Sequence, residues 1–299
     1  LEEILKNVNE FDLTMSELQE AYRKANTSER YHRFGFDLDQ SKKKGSCWFF
    51  IVGQYVRFTA MDWSGNIPKY EWDTHQKTPG TLFSPELKKA IEEEDKRLAK
   101  ELHEKRSQAV KTAEELWRLC VNSESPYLTA KGLPKGSLYG AGIFYEKNST
   151  EPITCIPLKN TKGDLLNIER IYPDSSKRVL WGGEVSGLFH AIGDPTSKIG
   201  YLCEGFATGA SIHEACGGYV ICARNAGNLP RVADGLMEAN VHKYWIIVAD
   251  SDANKIGNIK ANEALKVFKE DGDEGEILLP KFTKREIKNP KASDINDLY

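Results

Sequence analysis

The chain has 299 residues, a length that suggests about two domains. Hydrophobic residues make up 40% and charged residues 28%, so the composition excludes a fibrous or wholly disordered chain. The 41 basic and 44 acidic residues give a net charge of −3, and any contact with nucleic acid must therefore come from a local basic patch, not from bulk charge.

Residues 1–80 are expected to form a small α+β module. The first 30 residues are polar with apolar residues at helical spacing, which predicts helix. Residues 31–75 contain short aromatic and β-branched runs separated by turn residues, which predicts an antiparallel meander. The aromatic side chains are interpreted as core. The alternative is a base-stacking surface beside the lysines at 42–44.

Residues 81–125 are expected to be a long charged helix and linker. Ser84 and Pro85 have the residue types of an N-cap and a first helical position. Charged residues surround the helix and leave only a thin apolar seam. This pattern favours a solvated helix that connects two domains over a coiled coil.

Residues 126–197 are expected to form a mostly β subdomain that opens with a turn-rich passage. Gly163-Asp164 is a hairpin signal between two of its strand-like runs. The predicted strands are 142–145, 153–158 and 165–171.

Residues 198–299 are expected to be an α/β domain that ends in a basic tail. Continuous apolar runs alternate with helical segments, which predicts a mostly parallel sheet covered on both faces. The predicted strands are 199–203, 219–223, 244–249 and 276–280. The predicted helices between them are 208–216, 230–240 and 258–270. The tail at 281–291 has five basic residues and one acidic residue, and is interpreted either as a basic patch or as a solvated tail.

Neither a membrane span nor a signal peptide is predicted, because no apolar run approaches about 20 residues and no basic leader precedes an apolar region. The chain does not begin with Met, and we expect it to be a piece of a longer protein. The six cysteines form no C-x-x-C pair, which argues against a zinc ribbon. We expect them to be reduced, buried thiols in a cytoplasmic protein.

Three acidic residues follow predicted strands: Glu204, Asp250 and Asp252. Ligands of open parallel sheets bind at the carboxyl ends of the strands. Asp250 and Asp252 are two residues apart and point the same way in an extended chain. Such hard oxygen ligands favour Mg²⁺. Asn225 and Asn228 follow the middle strand and are candidates to order the same crevice. The alternative for each acid is a helix cap or a solvated loop.

These residues carry a resemblance to a known domain. Glu204-Gly205 and Asp250-Ser251-Asp252 resemble the Toprim domain shared by DnaG-type primases, topoisomerases, recombination proteins and some nucleases. An ordered set of segments is similar to the primases of conjugative plasmids and satellite phages. That set comprises residues 126–128, 131–132, 167–174, 177–178, 203–215, 225–229 and 294–298, with weaker likeness in residues 33–34 and 62–63.

The resemblance implies a Rossmann-like Toprim core, a β-rich primase subdomain and a small N-terminal module. It implies a DNA primase that synthesises short RNA primers from ribonucleoside triphosphates on single-stranded DNA during replication of a phage, plasmid or other mobile element. The implied cofactor is Mg²⁺ or Mn²⁺, and the implied partner is a replicative helicase, in trans or fused.

The resemblance also implies roles for individual residues. Glu204 would be a metal ligand or a general acid/base, and Asp250 and Asp252 would be metal ligands. The basic residues of the β subdomain, Arg170, Lys177 and Arg178, are candidates for contact with the triphosphate or the template.

Two alternatives stay open: a Toprim nuclease, and a non-catalytic module that binds single-stranded DNA and recruits a helicase. The zinc module and the phosphate-binding loop that often accompany such primases are not found in the sequence. His190 is interpreted as a core histidine. His213-Glu214 is interpreted as a helix-face pair, because no second His completes H-E-x-x-H.

Overall fold

The computed structural model describes residues 1–25, 32–34, 45–62, 69–74, 84–250 and 256–280. The chain forms two compact units, Leu1–Glu101 and Leu102–Tyr299. The boundary between them falls inside the long helix α3 (Pro85–Leu119).

The first unit contains the predicted helices and the predicted antiparallel meander. Its elements are α1 (Glu2–Asn7), a 3₁₀ turn (Asn9–Phe11), α2 (Met15–Arg23), β1 (His32–Phe34), β2 (Gly45–Val52), β3 (Tyr55–Asp62) and β4 (Tyr70–Asp73). The strands pair in chain order. Phe34, Phe49 and Phe58 are buried together with Leu18, which confirms that these aromatic rings are core. Residues 42–44 lie outside the described part of the chain.

Helix α3 matches its prediction closely. Ser84 accepts a hydrogen bond from the backbone N–H of Leu87, as an N-cap does. The helix has 35 residues, and only Ala109 and Ala113 are buried, so it is solvated over most of its length. Within the described ranges, no helix combines the length and the apolar character needed to cross a bilayer.

The second unit begins with an antiparallel sheet. After the short helix α4 (Pro126–Ala130) come β5 (Gly142–Tyr145), β6 (Pro152–Lys159), β7 (Leu165–Ile171) and β8 (Lys177–Val179), paired in that order. Three of these strands were predicted. The prediction of a turn-rich passage is wrong at α4, where the Ser125 side chain caps one helical turn that begins at Pro126.

The second sheet of this unit is the predicted α/β core. Its elements are β9 (His190–Ile192), β10 (Ile199–Cys203), α5 (Phe206–Cys216), β11 (Tyr219–Cys222), α6 (Leu229–Glu238), β12 (Tyr244–Val248), α7 (Ile256–Glu270) and β13 (Gly275–Leu278). The strand order is β13-β12-β10-β11-β9, and only β9 runs antiparallel. The mostly parallel sheet is confirmed. Strand β9 lies in the range expected for the β subdomain, yet it pairs with β11.

The two sheets of the second unit share a core. Ile156 and Ile171, from the antiparallel sheet, are buried in one cluster with Cys203, Cys222 and Val248. All six cysteines are free; Cys216 is exposed and Cys120 partly exposed, so the prediction that the thiols are buried holds only for the other four. The shared cluster ties the β subdomain to the carboxyl edge of the parallel sheet.

Gly209 of α5 supports this packing because it has no side chain. A Cβ atom there would overlap the Cys222 sulfur and lie 3.3 Å from the Cys203 sulfur. We predict that Gly209→Ala lowers the free energy of unfolding by about 1–3 kcal/mol, through overpacking. Gly235→Ala, in α6, is the matched control, since its Cβ would meet only Thr161, at 3.8 Å.

Gly235→Ala should raise the free energy of unfolding by up to about 1 kcal/mol, the usual benefit of Ala over Gly inside a helix. The shift of the urea midpoint, followed by far-ultraviolet circular dichroism, measures both changes. Equal midpoints for the two variants would contradict this account of the packing.

Candidate active site

Two of the predicted acids lie at the same edge of the parallel sheet. Strands β10 and β12 are adjacent and parallel, with Cys203 opposite Val248. Glu204 directly follows the first strand, and Asp250 lies two residues beyond the second. Both residues are partly buried. The pairing thus brings together two carboxylates that are remote in the chain.

Gly257, near the start of α7, lies against both acids. A Cβ atom at this position would be 2.6 Å from Oε1 of Glu204, and 3.3 Å and 3.4 Å from the backbone O and N of Asp250. Any larger residue would therefore push into the Glu204 carboxylate. The absence of a side chain lets Gly257 pack directly against the Glu204 carboxylate and the Asp250 backbone.

The pKa of the Cys203 thiol reflects the negative charge at this edge of the sheet. This pKa is raised, first by a hydrogen bond with Cys222 and by burial, and further by the charges of Asp250 and Glu204. Both carboxylates therefore act on one buried atom at the end of β10. This is the electrostatic setting in which a bound cation would be favoured.

The donor set fits a hard divalent cation. Carboxylate oxygens are the ligands that Mg²⁺ prefers, and it commonly takes one or two of them. Within the described ranges, no group of three His, Cys, Asp or Glu side chains is arranged to hold a metal ion. Asp252, the third predicted ligand, lies outside those ranges. The three-acid metal site stays a prediction.

The predicted basic residues lie on two faces of the β7–β8 pair. Lys177 is opposite Ile171, whose side chain is buried against the parallel sheet. Arg170 is opposite Arg178, and their guanidinium carbons lie 5.8 Å and 5.3 Å from the ring centre of Tyr172. Because side chains alternate along a strand, Arg170 and Arg178 point away from the face that carries Lys177.

The two predicted asparagines have structural hydrogen bonds. The Asn228 side chain is buried, donates to the carbonyls of Leu188 and Ala223, and accepts from the N–H of Gly187. The Asn225 side chain accepts from the Asn228 N–H and is otherwise exposed. Asn228 thus holds the loop after β11 in place, and Asn225 has the more accessible amide.

Arg224 is a further charged residue at this edge, and the sequence alone does not single it out. Cys222 is opposite Cys203 and Ala223 donates its N–H to the Cys203 carbonyl, so Arg224 leaves β11 one residue beyond the level of Glu204. Its Nε lies 3.0 Å from Oε1 of Glu169, whose side chain is only 5% exposed. Arg224 has a φ of +77°, a strained conformation for a residue other than Gly.

The buried Glu169 fixes this arginine. Burial raises the pKa of Glu169, while the charges of Arg224 and Lys177 lower it. Glu169 lies on the same strand face as Ile171, and Lys177 is opposite Ile171. Two cations therefore share one buried carboxylate, and the group as a whole is positive.

The histidines have the structural roles predicted for them. The His190 ring is buried, with Nε2 2.7 Å from the Tyr139 carbonyl oxygen. Nδ1 of His213 lies 2.8 Å from the Gly218 carbonyl oxygen, and Glu214 accepts a hydrogen bond from the Tyr139 hydroxyl.

The α/β core is similar to a known domain. Residues 200–299 match the family model of the Toprim domain. Two proteins named DNA primase TraC, both from Escherichia coli, are 28% identical to this chain, over 235 and 182 residues. These matches cover 72% and 57% of this chain. They cover only 21% and 12% of the relatives, so the chain spans a small part of their length.

Two solved primase structures are similar at low identity. The primase fragment of the bacteriophage T7 primase-helicase protein aligns with a TM-score of 0.43 and 15% identity, over 59% of this chain and 69% of that one. The DnaG catalytic core aligns with a TM-score of 0.42 and 10% identity, over 66% of this chain and 74% of that one.

The Arg224–Glu169 pair yields a pH-dependent prediction. Arg224→Ala leaves the Glu169 carboxylate buried without its closest cation, which should cost about 1–3 kcal/mol of stability near pH 8. Glu169 then holds a proton to higher pH in the folded state than in the unfolded state. In the Arg224→Ala variant, the contribution of Glu169 to the free energy of unfolding is therefore favourable at low pH. It is lost as the pH rises through the folded-state pKa of Glu169.

The loss caused by Arg224→Ala should consequently be small near pH 5 and grow towards pH 8, as measured by urea denaturation. Adding Glu169→Gln should restore most of the lost stability. Arg231→Ala is the matched control, because its ion pair with Asp234 is exposed and should contribute little. A loss of stability in Arg224→Ala that did not change with pH would contradict the pairing of Arg224 with the buried Glu169.

Proposed function

We propose that this chain, whose residues 200–299 form a Toprim domain, is a DNA primase of a mobile genetic element. It would make short RNA primers from ribonucleoside triphosphates on single-stranded DNA. One observation carries the proposal: the Glu204 carboxylate and the backbone of Asp250 both lie against Gly257 at the carboxyl edge of the parallel sheet. Its homology to the two TraC primases supports the same assignment.

The three acids have the roles expected of a cation site. Glu204 and Asp250, together with Asp252, would hold Mg²⁺ or Mn²⁺ through carboxylate oxygens. Such a cation neutralises the charge that develops on the triphosphate and makes a hydroxyl a better nucleophile. Glu204 would be either a ligand or the group that accepts the hydroxyl proton. Only a residue without a side chain fits at Gly257 against this carboxylate.

The proposed phosphate site is the positively charged group beside the acids, which consists of Arg224, Lys177 and Glu169. Arg224 pairs with the buried Glu169 carboxylate and Lys177 is on the same strand face, so two cations are balanced by one anion next to the negative edge. A triphosphate needs both signs nearby, since its oxygens contact cationic side chains as well as the cation. Glu169 lies 3.0 Å from the Arg224 Nε, and the terminal nitrogens of Arg224 are the proposed phosphate ligands.

The proposed step is a phosphoryl transfer. The 3′-oxygen of the growing primer forms a bond to the α-phosphorus of the incoming nucleotide, and the bond from that phosphorus to the β-phosphate oxygen breaks. Pyrophosphate leaves, and the hydroxyl proton passes to Glu204 or to solvent. The residues at this edge act mainly by positioning and by electrostatic stabilisation, as is usual for phosphoryl transfer.

The partners follow from this reaction. Single-stranded DNA is the template, and a replicative helicase, fused or separate, would supply it. Arg170 and Arg178, on the other face of β7–β8, are proposed to contact the template and not the triphosphate. We expect the protein to act in the cytoplasm, where its free cysteines stay reduced.

Primer synthesis tests the acidic site directly. Glu204→Gln and Asp250→Asn keep nearly the same size but remove the charge, and each should lower the rate of primer synthesis by about 100-fold or more. Glu263→Gln is the matched control, because Glu263 is an exposed acid of α7 that pairs with Lys260. It should leave the rate unchanged.

Folded Glu204→Gln and Asp250→Asn variants that made primers at the normal rate would contradict the proposal. Incubating the protein with DNA and Mg²⁺ without nucleotides separates it from a Toprim nuclease. A nuclease would cleave the DNA under these conditions, whereas a primase would leave it intact.

Cation binding has a readout that does not require turnover. Mn²⁺ should raise the free energy of unfolding of the wild-type chain by about 2.7 kcal/mol at 100 times its dissociation constant. Glu204→Gln and Asp250→Asn should abolish most of this increase, and Glu263→Gln should retain it. Equal stabilisation of all four proteins by Mn²⁺ would place the cation elsewhere.

A further inference from the structure

Two free cysteines meet on one face of the antiparallel sheet. Cys155 of β6 is opposite Gly142 of β5, so both positions face the same side of the sheet. A Cβ atom at Gly142 would lie 2.8 Å from the Cβ of Cys120 and 3.5 Å from its sulfur. Cys120, which directly follows α3, therefore occupies the space left by the missing Gly142 side chain, beside the Cys155 thiol.

A hydrogen bond joins the two thiols and affects them in opposite directions. It lowers the pKa of Cys120 and, together with burial, raises the pKa of Cys155. These directions follow if the Cys155 S–H donates to the Cys120 sulfur, because such a donor stabilises the thiolate of its acceptor. The thiolate is the reactive form of cysteine, so Cys120 is the nucleophile of the pair and Cys155 is the second thiol.

Small molecules can reach Cys120 but not Cys155. Cys155 is buried, whereas Cys120 is partly exposed and lines a cavity of about 470 Å³, together with Trp117 and Tyr139. The Cys120 thiol donates to the carbonyl of Leu116 at 3.4 Å, one turn earlier in α3, and this contact fixes its side chain. A molecule that enters the cavity therefore meets the Cys120 sulfur, with the second thiol directly behind it.

An arginine lies beside Cys155 on the same sheet face. Cys155 is opposite Arg170 of β7, which in turn is opposite Arg178 of β8. Directly opposite residues point to the same side, and the positive charge of Arg170 opposes the rise in the pKa of Cys155. This cation would stabilise the Cys155 thiolate when the pair reacts. The two thiols thus belong to the row of side chains that carries the proposed template contacts.

We propose that Cys120 and Cys155 are a redox-active pair, which forms a reversible disulfide by exchange with a low-molecular-weight disulfide. The Cys120 thiolate attacks one sulfur of the small disulfide, so a mixed disulfide forms and one small thiolate leaves. The Cys155 thiolate then attacks the Cys120 sulfur, and the second small thiolate leaves. Both cysteines are oxidised, the small disulfide is reduced to two thiols, and these thiols take up the two cysteine protons.

Cys203 and Cys222 are a matched control within the same chain. Their sulfurs lie 3.9 Å apart, and both residues are buried. The pKa of Cys203 is raised by its hydrogen bond with Cys222 and by burial. This second pair therefore has the proximity of two thiols, but neither thiol is accessible. It should stay reduced under conditions that oxidise Cys120 and Cys155.

The test incubates the 299-residue chain with oxidised glutathione at about pH 8, blocks the remaining thiols with N-ethylmaleimide and maps the peptides by mass spectrometry without reduction. The wild type should yield a peptide cross-linked between Cys120 and Cys155, and dithiothreitol should reverse the cross-link. The exposed Cys216 should carry only glutathione. Cys155→Ala should keep glutathione on Cys120, because the second thiol that displaces it is missing.

Wild-type Cys120 that stayed unmodified, or that kept its glutathione, would overturn the proposal. A bond between Cys203 and Cys222 that formed as fast as the proposed one would also overturn it. Oxidation should raise the urea midpoint, because the new bond restricts the unfolded chain, and a lower midpoint would contradict preplaced thiols. The wild-type chain alone decides the outcome, even if Cys155→Ala fails to fold. Primer synthesis is not measured, so the result is independent of the proposed function.

Discussion

The site depends on the parallel pairing of β10 with β12. The register that places Cys203 opposite Val248 makes Glu204 and Asp250 leave the sheet at one edge. A shift of one residue would turn every side chain of a strand to the opposite face, and the buried cluster would be lost with it. The core that fixes the register therefore also fixes the acids. The missing side chains at Gly209 and Gly257 allow the close packing on which both depend.

The β subdomain adds charge of the opposite sign to this edge. A buried carboxylate on β7 is an expensive group unless it is paired, and Glu169 is paired with an arginine from the loop after β11. The strained φ of Arg224 is the local cost of reaching it. Such strain persists only where surrounding structure enforces it, and here Asn228 clamps the loop through three hydrogen bonds. Acids and bases are thereby held side by side in a fixed arrangement, which suits a substrate with a chain of phosphates.

The sequence predicted the elements whose pattern is long and strong. Continuous apolar runs identified β10 and β12, and the N-cap at Ser84 identified the start of α3. The three-residue strands β8 and β9 were not predicted, because so short a segment has no periodicity to recognise. Periodicity does not encode strand order either, so nothing in the sequence indicates that Arg224 reaches Glu169. Both acids at the sheet edge could be selected because they follow predicted strands, but their shared contact with Gly257 required coordinates.

Strand β7 fixes two neighbouring parts of the second unit through polar side chains. On one face it carries Glu169, which pairs with Arg224, and Asn167, which accepts from the Leu180 N–H and donates to the Glu184 carbonyl. The strand lies between β6 and β8, so its backbone is paired on both sides and is poorly able to shift. Glu169 and Asn167, on alternate residues of one paired strand, keep a constant separation. Arg224, the centre of the proposed phosphate site, is consequently paired with a carboxylate on a strand that moves little, and such fixed positions are what an electrostatically assisted phosphoryl transfer requires.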